Sequence, residues 1–229
     1  MSSIPFIDLK SQYQRLKEDI NVGIQGVLDH GSYIMGPEVE QLESQLADFC
    51  GAKHAITCSS GTDALLLGLM AYGVGPGDAV FTTPFTFFAT AEVISMLGAT
   101  PVFVDIDERT FNLNPNKLEE SVKKVIAEGK LKPRGIMPVN LFGLAPDFDA
   151  INSIAKSNDL FVLEDTAQGF GGEYKGRISG SLGDISATSF FPAKPLGCYG
   201  DGGAIFTSDD ALAAKIKSLR VHGLSLIHI

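Results

Sequence analysis

Short runs rich in Val, Ile, Phe and Thr alternate with amphipathic runs along most of this chain. HAITC (54–58) precedes DALLLGLMAYG, AVFTTP precedes TFFATAEVISMLG, and TPVFVDID precedes LEESVKKVIAEG. RGIMPVN, FDAINSIAKSN and LFVLED continue the series, and ISATSFF, GAIFTS and DDALAAKIKSLR close it. A strand followed by a helix and another strand is the pattern of a crossover unit. Its strands lie parallel, and its helices cover the sheet. The expectation is an α/β fold with a mainly parallel sheet. Ahead of it, Leu9 to Leu28 reads as an amphipathic helix, and a GP turn leads into a second helix from about Glu38. There are no repeats, no low-complexity segment and no obvious linker. A chain of 229 residues, 45% hydrophobic, can build one large domain or one and a half smaller ones.

Charge narrows the partners. Lys plus Arg is 18 against 27 Asp plus Glu, a net −9. This argues against a general nucleic-acid or anionic-membrane surface and leaves room for local phosphate sites. Cys50, Cys58 and Cys198 lack metal-ligand spacing, and the four histidines do not cluster, so no metal site is expected. An odd cysteine count with wide gaps points to a reducing compartment. The opening MSSIPFIDLKSQYQRLKEDI is charged and has no apolar core segment, so it does not read as a signal peptide. No run approaches membrane-spanning length. These readings together predict a cytoplasmic protein.

One lysine stands out. In SFFPAKPLGCYGDGG (189–203) Lys194 lies between two prolines, after two phenylalanines and before a glycine run. A free lysine amine is mostly protonated at neutral pH, whereas apolar surroundings favour the neutral, nucleophilic form. Such an amine can form a Schiff base with a carbonyl. A lone Lys-Pro is equally what a snorkelling surface lysine in a turn looks like, so other parts must be found.

A Schiff-base cofactor such as pyridoxal phosphate demands an anion cup, an acid for its ring nitrogen, a flat group against its ring and a donor to its phenolic oxygen. In CSSGTDALLL a strand ends at Cys58 and a helix begins near Thr62. Ser60, Gly61 and Thr62 would set backbone N–H groups and hydroxyls at the positive end of that helix. An ordinary Ser/Thr N-cap would look the same. In LFVLEDTAQGF, Glu164 and Asp165 close an apolar strand at the edge where open α/β sheets bind ligands. Asp165 could pair with a pyridinium N–H or merely cap the next turn. Gln168 could reach the phenolic oxygen, and Ala167 is small enough to lie against a ring face. Phe87 in PFTFFATAEV follows a strand and is expected to open a helix, where it could stack on a ring. Phe88 reads as core. GVGPGD (73–78) imitates a dinucleotide fingerprint but follows a helix and precedes a strand, so it reads as a connecting turn.

Taken in order, SSGTDAL, PFTFFATAEV, PVFVDID, VLEDTAQGFGG and SFFPAKPLGCYGDGGAIF resemble the DegT/DnrJ/EryC1/StrS sugar aminotransferases, as do FIDLKSQY and GSYIMGPEVEQLE before them. The resemblance runs from about residue 4 to residue 223. It implies a fold type I, aspartate-aminotransferase-like large domain that binds pyridoxal 5'-phosphate. It also implies that Lys194 forms the Schiff base, buried as a neutral amine. Asp165 would then pair with the pyridine nitrogen, Gln168 would contact the phenolic oxygen and Phe87 would stack on the ring. Gly61, Thr62 and Ser189 would hold the phosphate. Lysine at 194, rather than histidine, argues against the family's sugar dehydratases. APDFDAIN and the lysine segment look closest to enzymes that aminate UDP-2-acetamido-2-deoxy-3-oxo-glucuronate with L-glutamate in surface-polysaccharide synthesis. Amination of 4-keto sugars, a regulatory relative or an inactive fragment are the alternatives. Family members form homodimers and carry a smaller C-terminal domain that completes the partner's site. Here the ending LSLIHI breaks the pattern and matches the translation of a transposon-end adapter. Residues 1–223 are therefore expected to be the N-terminal segment plus large domain, without the small domain, and 224–229 a non-native tail.

Overall fold

The structure, a computed structural model, describes residue 4 and residues 6–224. Two helices, α1 (Leu9–His30) and α2 (Pro37–Cys50), lead into β1 (His54–Cys58) and α3 (Gly61–Ala71). β2 (Asp78–Thr82), α4 (Ala89–Met96), β3 (Thr100–Phe103), α5 (Pro115–Glu128), β4 (Lys132–Met137), α6 (Phe148–Ser157) and β5 (Phe161–Asp165) follow. A two-residue-per-strand hairpin, β6 (Glu173–Tyr174) and β7 (Arg177–Ile178), precedes β8 (Ile185–Ser189), β9 (Gly203–Thr207) and α7 (Asp210–Arg220).

Seven strands form one sheet in the order β1-β9-β8-β5-β4-β2-β3. The pairs from β3 to β8 are all parallel, as the alternation predicts. β9 departs from this, running antiparallel to both β8 and β1. Only a loop, with no crossover helix, separates β8 from β9, so the chain turns back on itself. β3 ends at Phe103, earlier than TPVFVDID suggests. There Asp107 takes the N–H groups of Arg109 and Thr110 on its carboxylate, and a local turn replaces the ladder.

Alternation along each strand divides the core. Val80, Leu163, Ile185 and Ile205 pack under Leu65, Leu69, Ile94 and Ile216 of α3, α4 and α7. On the other face Phe81, Ile136 and Val162 meet Leu118, Val122, Phe148 and Ile151 of α5 and α6. Leu46 and Cys50 of α2 cover Phe206 and Phe170 beside them. A sheet buried on both faces explains why its strands are nearly continuous apolar runs. By contrast α1 has no buried residue. GVGPGD is the turn from α3 to β2, with Gly73 and Gly77 at positive φ. Among the described residues no helix is long and apolar enough to cross a membrane, and no group of three His, Cys, Asp or Glu could hold a metal. Of the ending read as foreign, residues 225–229 lie outside the described residues.

Candidate active site

β1, β5 and β8 point the same way, so their C-terminal ends meet at one edge of the sheet. A cavity of about 460 Å³ opens there. Ser60, Gly61 and Thr62 line one end, and Asp165, Ala167 and Gln168 line its floor. Ser189, Lys194 and Phe87 complete its walls. All nine residues singled out in the sequence therefore share one cavity, together with Thr86, Ala187, Phe191 and Asp201.

Asp165 ends β5 and is only 5% exposed. Its Oδ2 accepts the Thr90 hydroxyl at 2.8 Å, and its Oδ1 accepts the Ala167 N–H at 3.2 Å. Thr90 Oγ1 also lies 3.1 Å from the Thr86 hydroxyl. Burial pushes the Asp165 carboxyl above its ordinary range, while these two donors and the Lys194 ammonium pull it back. A carboxylate offers about four acceptor directions. With two filled by protein, Asp165 keeps room for a cationic N–H from the cavity, the one partner that would offset its desolvation.

The cup forms where α3 begins. Ser60 caps the helix: its Oγ accepts the Asp63 N–H at 3.0 Å, and its hydroxyl donates to Asp63 Oδ2 at 2.8 Å. The Ser60 hydroxyl is thus committed to the cap. The Ala64 N–H goes to the Ser60 carbonyl. The N–H groups of Gly61 and Thr62 have no acceptor among the described residues, as expected of a helix's first turn. Close packing aims them. A Cβ on Gly61 would lie 2.5 Å from Ser189 Cβ, and one on Gly203 would lie 2.4 Å from the Ser60 carbonyl oxygen. Only glycine lets the ends of β8 and β9 press against this turn. Unpaired N–H groups, a helix N-terminus and the Thr62 and Ser189 hydroxyls suit a phosphate.

Lys194 sits on a loop pinned at Phe190, whose N–H donates to the Gly202 carbonyl at 2.8 Å and whose carbonyl accepts the Cys198 N–H at 2.7 Å. The Lys194 N–H closes a turn onto Phe191 O at 2.8 Å. Gly197 is required because a Cβ there would stand 2.5 Å from the Pro192 carbonyl oxygen. The expectation of a buried lysine is corrected: Lys194 is half-buried, and Phe191, Leu196 and Tyr199 around it are exposed. The loop meets α1 where the rings of Tyr13 and Tyr199 pack edge to face with centroids 6.0 Å apart.

Phe87 lies two residues ahead of α4, which starts at Ala89 rather than at the aromatic run, and is 67% exposed. Phe88, read as core, is 71% exposed. Both precede the helix, outside the packed core. Gln168 Oε1 accepts the Phe142 N–H at 3.1 Å, which leaves its amide N–H groups as free donors. Sequence reasoning missed Thr90 and Thr86. They sit in the quoted PFTFFATAEV, but nothing local marks a threonine as the partner of an acid in β5. Glu164 was noted without a role, yet it is fully buried and paired with several donors.

An acid buried at a strand end, a lysine across the cavity and a helix N-terminus between them, on a mostly parallel sheet, define an aminotransferase-type cofactor domain. The chain belongs to the DegT/DnrJ/EryC1/StrS aminotransferase family, matched over residues 14–227. It is 56% identical over 220 residues to a UDP-2-acetamido-2-deoxy-3-oxo-D-glucuronate aminotransferase of Pseudomonas aeruginosa, covering 96% of this chain and 59% of that protein. The crystal structure of a DegT DnrJ EryC1 StrS aminotransferase from Brucella abortus superposes with a TM-score of 0.96 at 48% identity, covering 98% of this chain and 60% of that one. NtdA from Bacillus subtilis with bound cofactor PMP superposes with a TM-score of 0.86 at 35% identity, over 95% of this chain and 48% of that one. The chain thus spans about 60% or less of the length of these relatives.

Proposed function

We propose that residues 1–223 form the cofactor-binding large domain of a pyridoxal 5'-phosphate-dependent aminotransferase that transfers an amino group from L-glutamate to a nucleotide-linked keto sugar. The 56% identical relative makes UDP-2-acetamido-2-deoxy-3-oxo-glucuronate the favoured acceptor, in surface-polysaccharide synthesis. The carrying observation is the joint placement of Asp165, Lys194 and the unpaired Gly61 and Thr62 N–H groups around one cavity. The three unpaired cysteines suit a reducing cytoplasm.

When bound, the cofactor supplies an electron sink for the carbanion left at the substrate Cα. The residues of this chain do the rest. Gly61, Thr62 and Ser189 would hold the phosphate, and Phe87 and Ala167 would pack against the ring. Asp165 keeps the proton on the ring nitrogen, which strengthens the sink. Gln168 donates to the phenolic oxygen. Lys194 Nζ would hold the cofactor and would carry a proton to and from the substrate Cα. The full-length protein would act as a homodimer. The exposed Leu16, Val22, Ile24 and Leu28 of α1 and the exposed Phe85, Phe87 and Phe88 before α4 support that reading.

The test is borohydride reduction of full-length protein mixed with pyridoxal phosphate, followed by peptide mapping and by assay with L-glutamate and the UDP-3-keto sugar. A label on Lys194 and a 3-amino product are expected. A label elsewhere sinks the site, and a 4-amino product from a 4-keto sugar moves the substrate.

A further inference from the structure

Glu164 precedes Asp165 on β5, so its side chain takes the opposite face of the sheet. There it is sealed from solvent, with 0% exposure. Every group that meets it is a donor. Asn140 Nδ2 lies 2.7 Å from Oε1, and the Ser186 hydroxyl lies 2.6 Å from Oε2. The Leu182 N–H reaches Oε2 at 3.0 Å, and the Gly180 N–H is 3.1 Å from both oxygens. Burial pushes this carboxyl up, and the four donors oppose it. A carboxylate that only accepts fixes the Asn140 amide, since its nitrogen must face Oε1.

Asn140 connects this network to the cavity floor. Its own N–H donates to the Asp165 carbonyl at 2.9 Å, and the Asp165 N–H returns to the Pro138 carbonyl at 2.9 Å. Its Nδ2 also lies 3.0 Å from Ser179 Oγ and 3.3 Å from Thr166 Oγ1. A Cβ on Gly169 would stand 2.6 Å from Asn140 Cβ, so the 166–169 turn rests directly on it. Two residues on, Phe142 takes a positive φ of 55° and offers its N–H to Gln168 Oε1.

We propose that Glu164 is a positioning residue: through Asn140 it fixes the 140–142 turn, and that turn sets which end of the Gln168 amide faces the cavity. The chain of contacts is Glu164 Oε1, Asn140 Nδ2, the Asn140–Phe142 backbone and Gln168 Oε1. An N–H can only donate, so the Phe142 N–H holds the carbonyl end of Gln168 and leaves the two amide donors for a ligand oxygen. For a pyridoxal cofactor, this inference rests on the function proposed above. The orienting step itself does not.

Isotope-labelled protein separates the two. In nitrogen–proton spectra, Gln168→Ala marks where the Phe142 amide moves when its acceptor is lost. In Glu164→Gln, whose new amide nitrogen must confront donors, that resonance is expected to move at least half of this distance. Asn140→Ala, a milder cut in the same chain, is expected to do the same. Pyridoxal phosphate titrated into full-length protein is expected to bind each variant about tenfold more weakly. The double variant Glu164→Gln/Gln168→Ala is expected to bind no more weakly than Gln168→Ala alone. A Phe142 amide that stays in place in folded Asn140→Ala overturns the proposal, as does full additivity in the double variant. If wild-type protein binds no pyridoxal phosphate, the cofactor reading falls while the Phe142 amide still decides the orienting step.

Discussion

Asp165 combines two opposed requirements. As a buried carboxylate it costs stability whenever nothing cationic meets it, and as the proposed partner of a ring-nitrogen proton it would need that same seclusion. Its folded-state pKa is raised, so the folded protein holds this proton more tightly than the unfolded chain does. The resulting cost is absent below the ordinary carboxyl value of 3.8 and grows as pH rises through the raised one. Asp165→Asn, which can still accept from Thr90, is therefore expected to stabilise cofactor-free protein at pH 7 by about 1 kcal/mol. That advantage should fade near pH 3.8, and denaturant melts across this range check it. The same variant is expected to lose turnover by at least about a hundredfold, the scale of a positioned acid–base group. Equal stability of the two proteins at both pH values would mean that Asp165 ionises in the folded protein as readily as in the unfolded chain. Lys194→Ala is expected to retain reversible cofactor binding and lose covalent attachment, read by dialysis after borohydride. In the sequence Asp165 stands out as one of two acids closing an apolar strand, and Lys194 as the one cation among Phe, Pro and Gly. Thr90, 75 positions from Asp165, does not, because its role exists only once the first turn of α4 meets the end of β5.

At the scale of elements, the turn from β1 into α3 has the least slack. Gly61→Ala would drive a methyl against Ser189 Cβ, which can retreat only by moving β8. The expected cost is about 1–3 kcal/mol, the range for overpacking, with weaker phosphate and cofactor binding measured by titration calorimetry. Ser189→Gly removes the opposing carbon and is expected to restore stability in the double variant more than binding, since it also removes a hydroxyl. Ser60→Ala tests the cap separately, at about 1 kcal/mol. The parallel core was legible because apolar runs of strand length alternate with runs of helical period. β9 was not, since GAIFTS has the same composition whichever way it runs. The β6–β7 hairpin is too short to show any period. The start of α4 was placed too early because three aromatics imitate a helix's apolar face.

For the whole molecule, α1 poses the open question of what it packs against. Ile24 and Leu28 share one face, four residues apart, and both are more than half exposed. Ile24→Glu/Leu28→Glu in the full-length protein is expected to leave each subunit's denaturant stability within about 0.5 kcal/mol, as for other surface changes. Its sedimentation is expected to shift from dimer to monomer. An unchanged dimer would place the interface elsewhere.

The reversed direction of β9 bears on how the protein is made. β1 has a single neighbour in the sheet, and that neighbour is β9, with Cys58 opposite Gly203. A nascent chain that has emerged from the ribosome through Lys194 already holds the acid, the lysine and the parallel strands. Its β1 still has no strand to pair with, and its cup has no glycine edge to press against. Closing so long a span is slow compared with the local crossovers. The Ser60–Thr62 end of the cavity is therefore expected to be completed last, when β9 pairs with β1 and Gly203 packs against Ser60.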